Sequence, residues 1–290
     1  MTGTPFLELL FGGLLLGGIY ALMASGLNLI FGVMRVINFA HGDILAVGAL
    51  LTVTLVGTWS IPYPVAIIVV PLLTAALGWL IQVILIRRVA DQPMIMSLLA
   101  TYGVSTLLVN LAILVWGGKF QGLPGVLGGS FRVLGVDVSV SRFTAFAVAM
   151  AACLGVWAML QRSRFGRAIR SVSQAPELAT ISGIPVGQVR NATFALGAGM
   201  AGLAGVLLAP TFASDPQMGS RFVIKAFAVV IVGGMGSYPG AILGALALGV
   251  IEVFAAWWVG AVIGSATLYL IMIATLLIRP RGLLGVAGRV

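Results

Sequence analysis

Charged residues are scarce in this chain of 290 residues. Lys, Arg, Asp and Glu together make up 8% of it and hydrophobic residues 60%, and the mean hydropathy is +1.16. Soluble domains carry about a quarter charged residues. The composition therefore excludes a cytosolic enzyme, a disordered chain and a solvated binding module. The length suits about eight to ten membrane helices of roughly 20 residues each.

Cysteine and histidine each occur once. Because Cys153 is alone, no intrachain disulfide and no cysteine-built metal site can form, and its apolar surroundings predict a small buried side chain. With His41 as the only histidine, we expect no metal site of another kind. The net charge of +9 comes from basic residues clustered between apolar runs, which favours a multi-span protein without a nucleic-acid partner.

Sequence motifs for nucleotide binding and for proteolysis are missing. Neither lysine stands in a GxxxxGK[ST] pattern, so this chain has no P-loop. GxSxG, HExxH and a convergent acid–base pair are also missing, which argues against an integral membrane enzyme. No Lys or Arg precedes Arg35, so we interpret the first hydrophobic stretch as a retained span and not as a cleaved signal peptide.

Long apolar runs dominate what is present. They predict an all-α, polytopic membrane protein, with residues 1–290 forming a single transmembrane domain, and the strict alternation of barrel strands is missing. The predicted segments are 9–31, 44–61, 65–86, 94–116, 143–160, 192–213, 222–235, 240–259 and 261–278.

Two stretches leave the span count open. Segment 222–235 is short and holds Lys225, so it fits a re-entrant segment or a half-helix as well as a full span. Stretch 32–43 is mostly apolar, yet it also holds charged and polar residues, so it is not an ordinary loop.

Two pairs of glycines have the spacing that lets helix backbones approach closely: Gly13 with Gly17, and Gly240 with Gly244.

The loops differ in basic residues, which predicts the orientation. One set of alternate loops holds eleven: Arg35, Arg87, Arg88, Arg162, Arg164, Arg167, Arg170, Arg190, Arg279, Arg281 and Arg289. The other holds five: Lys119, Arg132, Arg142, Arg221 and Lys225. The richer side is expected in the cytoplasm. This places the N-terminus and loop 117–142 outside, and the C-terminus and loop 161–191 inside.

Loop 161–191 predicts two short helices. In the first, Phe165, Ile169 and Val172 form one apolar stripe. In the second, over 176–182, Pro176 suits the first helical position, and Gly183 suits the left-handed position that ends a helix. So short a helix is marginal alone in water. It fits a helix on the membrane surface as well as a docking helix for a cytoplasmic partner.

The second helix also carries a family resemblance. Its sequence, with Leu178 where Ala is usual, resembles the EAA---G loop of ABC importer permeases: Glu177-Leu178-Ala179-Thr180-Ile181-Ser182-Gly183. In that family the loop forms a coupling helix that docks on the ATP-binding subunit. The resemblance implies that the ATPase-coupling residues are Arg167, Arg170, Pro176, Glu177, Leu178, Ala179 and Gly183.

Four further stretches resemble permeases for branched-chain amino acids, specifically the shorter of the two permeases that such systems usually pair. The first is similar to their "INFAHG" region, and the last two to their "GGxGSxxGA" turn and "RPxGLxG" tail. The stretches are 37–42, 195–205, 233–241 and 279–285. The resemblance covers nearly the whole chain.

This resemblance implies a non-catalytic permease of an ATP-driven importer in the bacterial plasma (inner) membrane, which moves branched-chain amino acids or a related small solute by alternating access. The implied partners are two cytoplasmic ABC ATPases, a second permease that is identical or different, a periplasmic or extracellular solute-binding protein, and lipid. ATP and Mg would bind the ATPases, and this chain would bind no cofactor.

Polar residues in or between apolar spans are candidates for the substrate pathway, because such groups are costly at membrane depth. The candidates are Asn28, Asn38, His41, Asp43 and Glu252. Each also has a structural alternative. Asp43 fits a helix cap, Glu252 fits a side chain that reaches up to the outer interface, and Asn28, like Asn110, fits a hydrogen bond between helices.

Three questions remain open at this point. Lys119, Arg132, Asp215 and Arg221 belong to outer loops and fit either a solvated surface or contact with a binding protein. An ion-gradient-driven secondary transporter is the alternative function, with Glu252, Asp43 and His41 as its ion or proton carriers. Urea, short amides and other amino acids fit the composition as well as branched-chain ones.

Overall fold

The computed structural model describes residues 3–123, 126–133 and 135–285. Eight helical segments in these ranges are long and apolar enough to cross a membrane. The α-helices are α1 (Gly3–Met34), α2 (Ala40–Thr52), α3 (Tyr63–Ile81), α4 (Arg87–Val89), α5 (Met94–Trp116), α6 (Val140–Arg162), α7 (Arg164–Gln174), α8 (Pro176–Ile181), α9 (Val186–Leu208), α10 (Met218–Gly233), α11 (Tyr238–Val259) and α12 (Ala261–Ile278). Two π-helical stretches, Val53–Thr58 and Gln82–Ile86, extend α2 and α3. The all-α polytopic prediction is confirmed.

A β-hairpin occupies the long loop between α5 and α6. Strands β1 (Ser130–Val133) and β2 (Val136–Ser139) pair antiparallel, with Phe131 opposite Val138. Val138 is buried against Leu15 of α1. The sequence interpretation of 117–142 as loop missed this hairpin. We call this side of the bundle the hairpin face, and the opposite side, which carries α7 and α8, the loop face.

Helix α10 crosses the bundle although it has only 16 residues. Just before it, Ser214 exchanges two backbone hydrogen bonds with Gln121 of the hairpin face, at 2.8 and 2.6 Å. At its other end, the carbonyl of Val232 accepts a bond of 2.8 Å from Leu283, which follows α12. Most of segment 222–235 therefore belongs to a helix that runs from the hairpin face to the loop face, although this helix is shorter than the eight candidate spans.

The break between α1 and α2 lies inside the bundle. Residues 35–39 are not helical, and Thr101 of α5 donates to the Ile37 carbonyl at 2.8 Å. At the start of α2, His41 hydrogen-bonds the carbonyl of Met23 in α1. Met23 lies eleven residues before the end of α1, or about 16 Å along the helix axis at 1.5 Å per residue. The chain thus leaves α1, turns back and begins α2 within the bundle.

Glycines allow the closest helix contacts, as their spacing predicted. A Cβ on Gly13 would lie 2.5 Å from the Val250 Cα, and one on Gly17 would lie 2.9 Å from the Ala245 carbonyl oxygen. Gly240 packs against Gly233 in the same way. By contrast, α5, α6 and α12 expose large apolar side chains, which is the surface expected toward lipid or another membrane subunit.

Candidate functional site

The first half of loop 161–191 folds as α7, as its apolar stripe predicted. The Ser163 side chain caps the helix by accepting a bond of 2.9 Å from the Gly166 N–H. Ile169 and Val172 are buried and Phe165 is half-buried, so the stripe faces the bundle. Helix α7 is thereby fixed to the bundle along one side.

The second half folds as α8 and ends as Gly183 predicted. Gly183 has a φ of 78°, its N–H donates to the Thr180 carbonyl at 3.0 Å, and the Ile184 N–H donates to the Ala179 carbonyl at 2.9 Å. These two bonds are those of a Schellman motif, in which a left-handed glycine satisfies the last helical carbonyls. The end of α8 is therefore well defined although the helix has only six residues.

Helix α8 buries one residue and exposes an apolar pair. Ala179 is 4% exposed, whereas Leu178 and Ile181 are 65% and 82% exposed. Pro176 and Glu177 are exposed as well. Spaced three residues apart, Leu178 and Ile181 share one side of the helix and point away from the bundle. Leu178, which departs from the family pattern, thus belongs to the outward side.

The two arginines that we assigned to coupling lie in different surroundings. Arg167 is exposed, while Arg170 is half-buried and its guanidinium donates to the Leu160 carbonyl near the end of α6. Arg170 also borders a loop-face cavity of about 240 Å³. Of the two, Arg167 points toward solvent, and Arg170 joins α7 to α6.

Asn28 holds the turn that connects α10 to α11. Its amide donates to the Ser237 carbonyl at 2.8 Å and accepts from the Gly236 N–H at 2.7 Å. The expected hydrogen bond between helices is wrong in its partner for Asn28, which bonds a turn and not a helix. It is also wrong for Asn110, because that side chain is exposed and bonds Thr106 of its own helix at 2.8 Å.

The tail after α12 completes the same turn. Leu283 and Leu284 donate to the carbonyls of Val232 and Gly233, at 2.8 and 3.1 Å. These bonds satisfy the orphan carbonyls that end α10. Two motifs that the sequence analysis treated separately, 233–241 and 279–285, are thus one packed unit. Arg289 lies outside the described residues.

Asn38, His41 and Asp43 gather where α2 begins. Asn38 is fully buried and its amide has no hydrogen-bond partner among the described residues, and the His41 Nδ1 has none either. Asp43 is buried beside Gly219 of α10. It lies in the first turn of α2 and not at its cap, which is Phe39. The expected position of Asp43 at the N-terminal end of this helix is confirmed, but Asp43 is not the capping residue.

Glu252 is buried in a four-helix polar cluster. Its carboxylate accepts bonds from Lys225 at 2.6 Å, Tyr20 at 2.7 Å and Ser265 at 2.8 Å. The expectation that Glu252 reaches the outer interface is therefore wrong. Lys225, which was counted above with the basic residues of the outer side, forms an ion pair with Glu252 that was not predicted. The signal was the one lysine within an apolar segment, which needs a buried counter-charge.

Two ion pairs lie at the hairpin face. Arg132 and Asp137 form an exposed ion pair of 2.9 Å across the hairpin. The hydrogen bonds from Arg132 hold the pKa of Asp137 below its usual value. Arg221 pairs with Asp215, which also accepts a bond of 2.9 Å from the Gln217 N–H. Lys119 is exposed.

Comparisons with known proteins agree over almost the whole chain. The profile of the family described as branched-chain amino acid transport system / permease component matches residues 9–278. The high-affinity branched-chain amino acid transport system permease protein LivH of Salmonella typhimurium is 30% identical, over 97% of this chain and 96% of that protein. The corresponding protein BraD of Pseudomonas aeruginosa is 33% identical, with the same coverage.

A solved structure shares the fold. PsaBC from Streptococcus pneumoniae in complex with Fab aligns with a TM-score of 0.52 over 93% of this chain and 91% of that chain, at 16% identity. At this identity the likeness concerns the helical membrane fold alone. The family, in contrast, follows from the sequence matches. This chain belongs to the permease components of branched-chain amino acid transport systems, and its role is that of a transport permease in a membrane.

Proposed function

We propose that the chain is the membrane-spanning permease subunit of an ATP-driven ABC importer for branched-chain amino acids or a related small solute. The observation that carries this proposal is the outward-facing apolar pair of α8, Leu178 and Ile181. An exposed apolar side on a short, well-capped helix is typical of a docking element. If α8 were instead a helix on the membrane surface, Leu178 and Ile181 would contact lipid. The two hypotheses therefore differ in whether a protein or lipid contacts this side of α8.

Contacts between helices connect α8 to the rest of the bundle. Ala179 is buried and Gly183 fixes the helix end, so α8 moves with its supports as one piece. Helix α7 follows, and Arg170 ties it to α6 at the Leu160 carbonyl. In the proposal, ATP binding in two partner ATPases moves α8, and the spans then alternate between outward and inward access, two states of different solute affinity.

The remaining parts of the proposal follow from this assignment. The loop face is cytoplasmic, so the N-terminus is outside and the C-terminus inside, in a bacterial inner membrane. A second permease and a soluble binding protein complete the assembly. The chain catalyses no reaction itself, and ATP with Mg binds the ATPases. Asn28, Asn38, His41, Asp43 and Glu252 stay proposed as pathway residues, with Asn28 acting through the turn that it holds.

Site-directed crosslinking tests the proposal. In a Cys153→Ala background, Ile181→Cys would carry a short photo-crosslinker in native membranes, and Val262→Cys, also highly exposed but beyond α11 on the hairpin face, would be the control. We expect capture of a P-loop ATPase from position 181 and not from 262. Labelling of lipid alone at 181, with the protein folded, would contradict the proposal and identify α8 as a surface helix.

The energy source separates the proposal from the secondary transporter. A carrier carboxylate must be free to bind and release its ion, but Glu252 is occupied by Lys225, Tyr20 and Ser265. We expect solute uptake to stop when ATP is depleted and to continue when an ionophore collapses the ion gradients. The reverse result would establish the secondary transporter.

A further inference from the structure

Helix α10 exposes a polar stripe where the lipid-facing helices expose apolar side chains. Ser220 and Arg221 are exposed on its half nearer the hairpin face, and Gln217 just before the helix continues the stripe, which ends at the apolar Ile224. Arg221 lies in the first turn of α10, at the end nearer the hairpin face, where a long cationic side chain reaches water. This end of α10 therefore borders water, a solute or another polar surface.

A cavity of about 210 Å³ opens beside this stripe. It lies between α10 and the segment before it, and is lined by Phe212, Ala213, Met218, Arg221, Phe222 and Lys225. Its two cations are four residues apart on α10, so they lie on the same side of the helix. The cavity thus combines a cationic corner with an apolar wall, which are the features that an aliphatic α-amino acid needs for its carboxylate and side chain.

Lys225 is fixed but not saturated. Its ammonium donates to Glu252 at 2.6 Å and to the Tyr20 hydroxyl at 3.0 Å. An ammonium has three donors, and the third has no acceptor among the described residues. Glu252 is also held by Tyr20 and Ser265. The cluster therefore holds the ammonium at the cavity and leaves one of its three N–H donors for a solute.

Arg221 supplies a second cation in the same way. Asp215 bonds one edge of its guanidinium, and the Asp215 side chain is 9% exposed while that of Arg221 is 58% exposed. A guanidinium has five donors in a fixed plane, so most of them remain available for another anion. Buried Asp215 holds the arginine in place, and the exposed edge faces the cavity.

We propose that this cavity is the outer solute-receiving site of the permease, where Lys225 and Arg221 bind the α-carboxylate, and Phe212, Met218 and Phe222 contact the aliphatic side chain. The assignment rests on the proposed function, which makes the hairpin face the outer side. Glu252 acts here as the positioning residue of Lys225 and does not touch the solute.

The test uses the complete transporter in phosphatidylcholine vesicles, with radiolabelled leucine delivered by its binding protein. The double variant Lys225→Met with Glu252→Gln removes the cation without leaving a buried charge unpaired. We expect leucine uptake per ATP hydrolysed to fall about tenfold or more, as loss of a charge-assisted hydrogen bond implies. ATP hydrolysis is measured in the same vesicles, so that a loss of assembly or of ATPase activity is distinguished from a loss of uptake per ATP hydrolysed.

Two further variants define the cause. Lys225→Arg keeps the cation and should retain most of the uptake. Arg88→Met removes one positive charge from an exposed position on the loop face, away from the cavity, and should behave as the wild type. If the double variant transports normally, Lys225 and Glu252 are only a structural pair and the proposal is wrong. It is equally wrong if the loss appears only in vesicles with anionic lipid, because the cavity would then bind a headgroup.

If the chain is not a permease of an ATP-driven importer, the outcome differs from both results that would contradict the cavity proposal. The wild-type vesicles would then show no ATP-dependent uptake, whatever stands at position 225. A loss confined to the double variant, beside an active wild type, concerns the cavity alone.

Discussion

The side chain of Asn28 donates to the backbone carbonyl of Ser237 at 2.8 Å, although 209 residues separate them. The same amide accepts the Gly236 N–H. One side chain of α1 thereby fixes the turn between α10 and α11, and that turn borders the loop-face cavity beside Arg170. The relationship links the start of the chain, the end of α10 and the proposed coupling loop.

Replacing Asn28 by Ala should destabilise the protein. The change leaves the half-buried Gly236 N–H and Ser237 carbonyl without their partner, and each lost hydrogen bond costs about 0.5–1.5 kcal/mol. We expect a lower thermal unfolding midpoint in detergent. Asn110→Ala is the control, since that exposed side chain bonds only its own helix, and its effect should stay within about 0.5 kcal/mol. Equal effects of the two variants would contradict the role assigned to Asn28.

Replacing Gly183 by Ala should loosen the end of α8. A residue with a Cβ pays about 1–2 kcal/mol in the left-handed conformation, and Gly183 has a φ of 78°. Hydrogen exchange of the Gly183 and Ile184 amides should accelerate roughly five- to thirtyfold.

The matched control for this change is Gly187→Ala. Gly187 lies in the first turn of α9, where an added Cβ meets nothing within 4 Å. Alanine is the better helix former by about 1 kcal/mol, so this variant should be as stable as the wild type or more so. Unchanged exchange at positions 183 and 184 in Gly183→Ala would show that the Schellman motif does not govern α8.

Neighbouring glycines of α1 should respond differently to the same change. A Cβ on Gly13 would lie 2.5 Å from the Val250 Cα, whereas one on Gly12 would meet only the Val253 Cγ1 at 3.8 Å. Overpacking costs about 1–3 kcal/mol, so Gly13→Ala should lower the unfolding midpoint and Gly12→Ala should not. The helix contact would need revision if both variants were equally stable.

The Arg132–Asp137 ion pair should be detectable as a lowered pKa of Asp137 in a pH titration. The hydrogen bonds from Arg132 lower the pKa of Asp137, so the pair supports the hairpin above the usual aspartate pKa of about 3.9 and is lost as the pH falls through the lowered value. In Arg132→Met, carboxyl NMR should show the Asp137 pKa closer to its usual value. Lys119→Met should leave it unchanged, and a shift there would indicate a wider charge effect.

Local rules in the sequence predicted the parts of the site that local geometry decides. Pro176, Gly183 and the stripe with Ile169 and Val172 define α7 and α8 within a few residues, because caps and periodicity act over one or two turns. The apolar runs likewise predicted the crossing helices. These features need no knowledge of what lies across the bundle.

Long-range pairing was not predictable in the same way. Lys225 and Glu252 come from different helices, and nothing in either helix indicates the partner. A hydrogen bond was expected for Asn28, but its partners are backbone groups of a turn. The identity of side chains does not indicate which backbone groups need a partner, so this contact could not be predicted. The hairpin was missed because its strands have only four residues each, too few for a clear alternation against a loop of mixed composition.

The bonds from Leu283 and Leu284 to the end of α10 also set an order of events during synthesis. A ribosome releases the crossing helices one after another, but the carbonyls of Val232 and Gly233 stay without these partners until residues 283 and 284 have been made. The loop-face end of α10 is therefore among the last parts of the bundle to close. A fusion or truncation placed directly after Ile278 would leave this end open in an otherwise inserted protein.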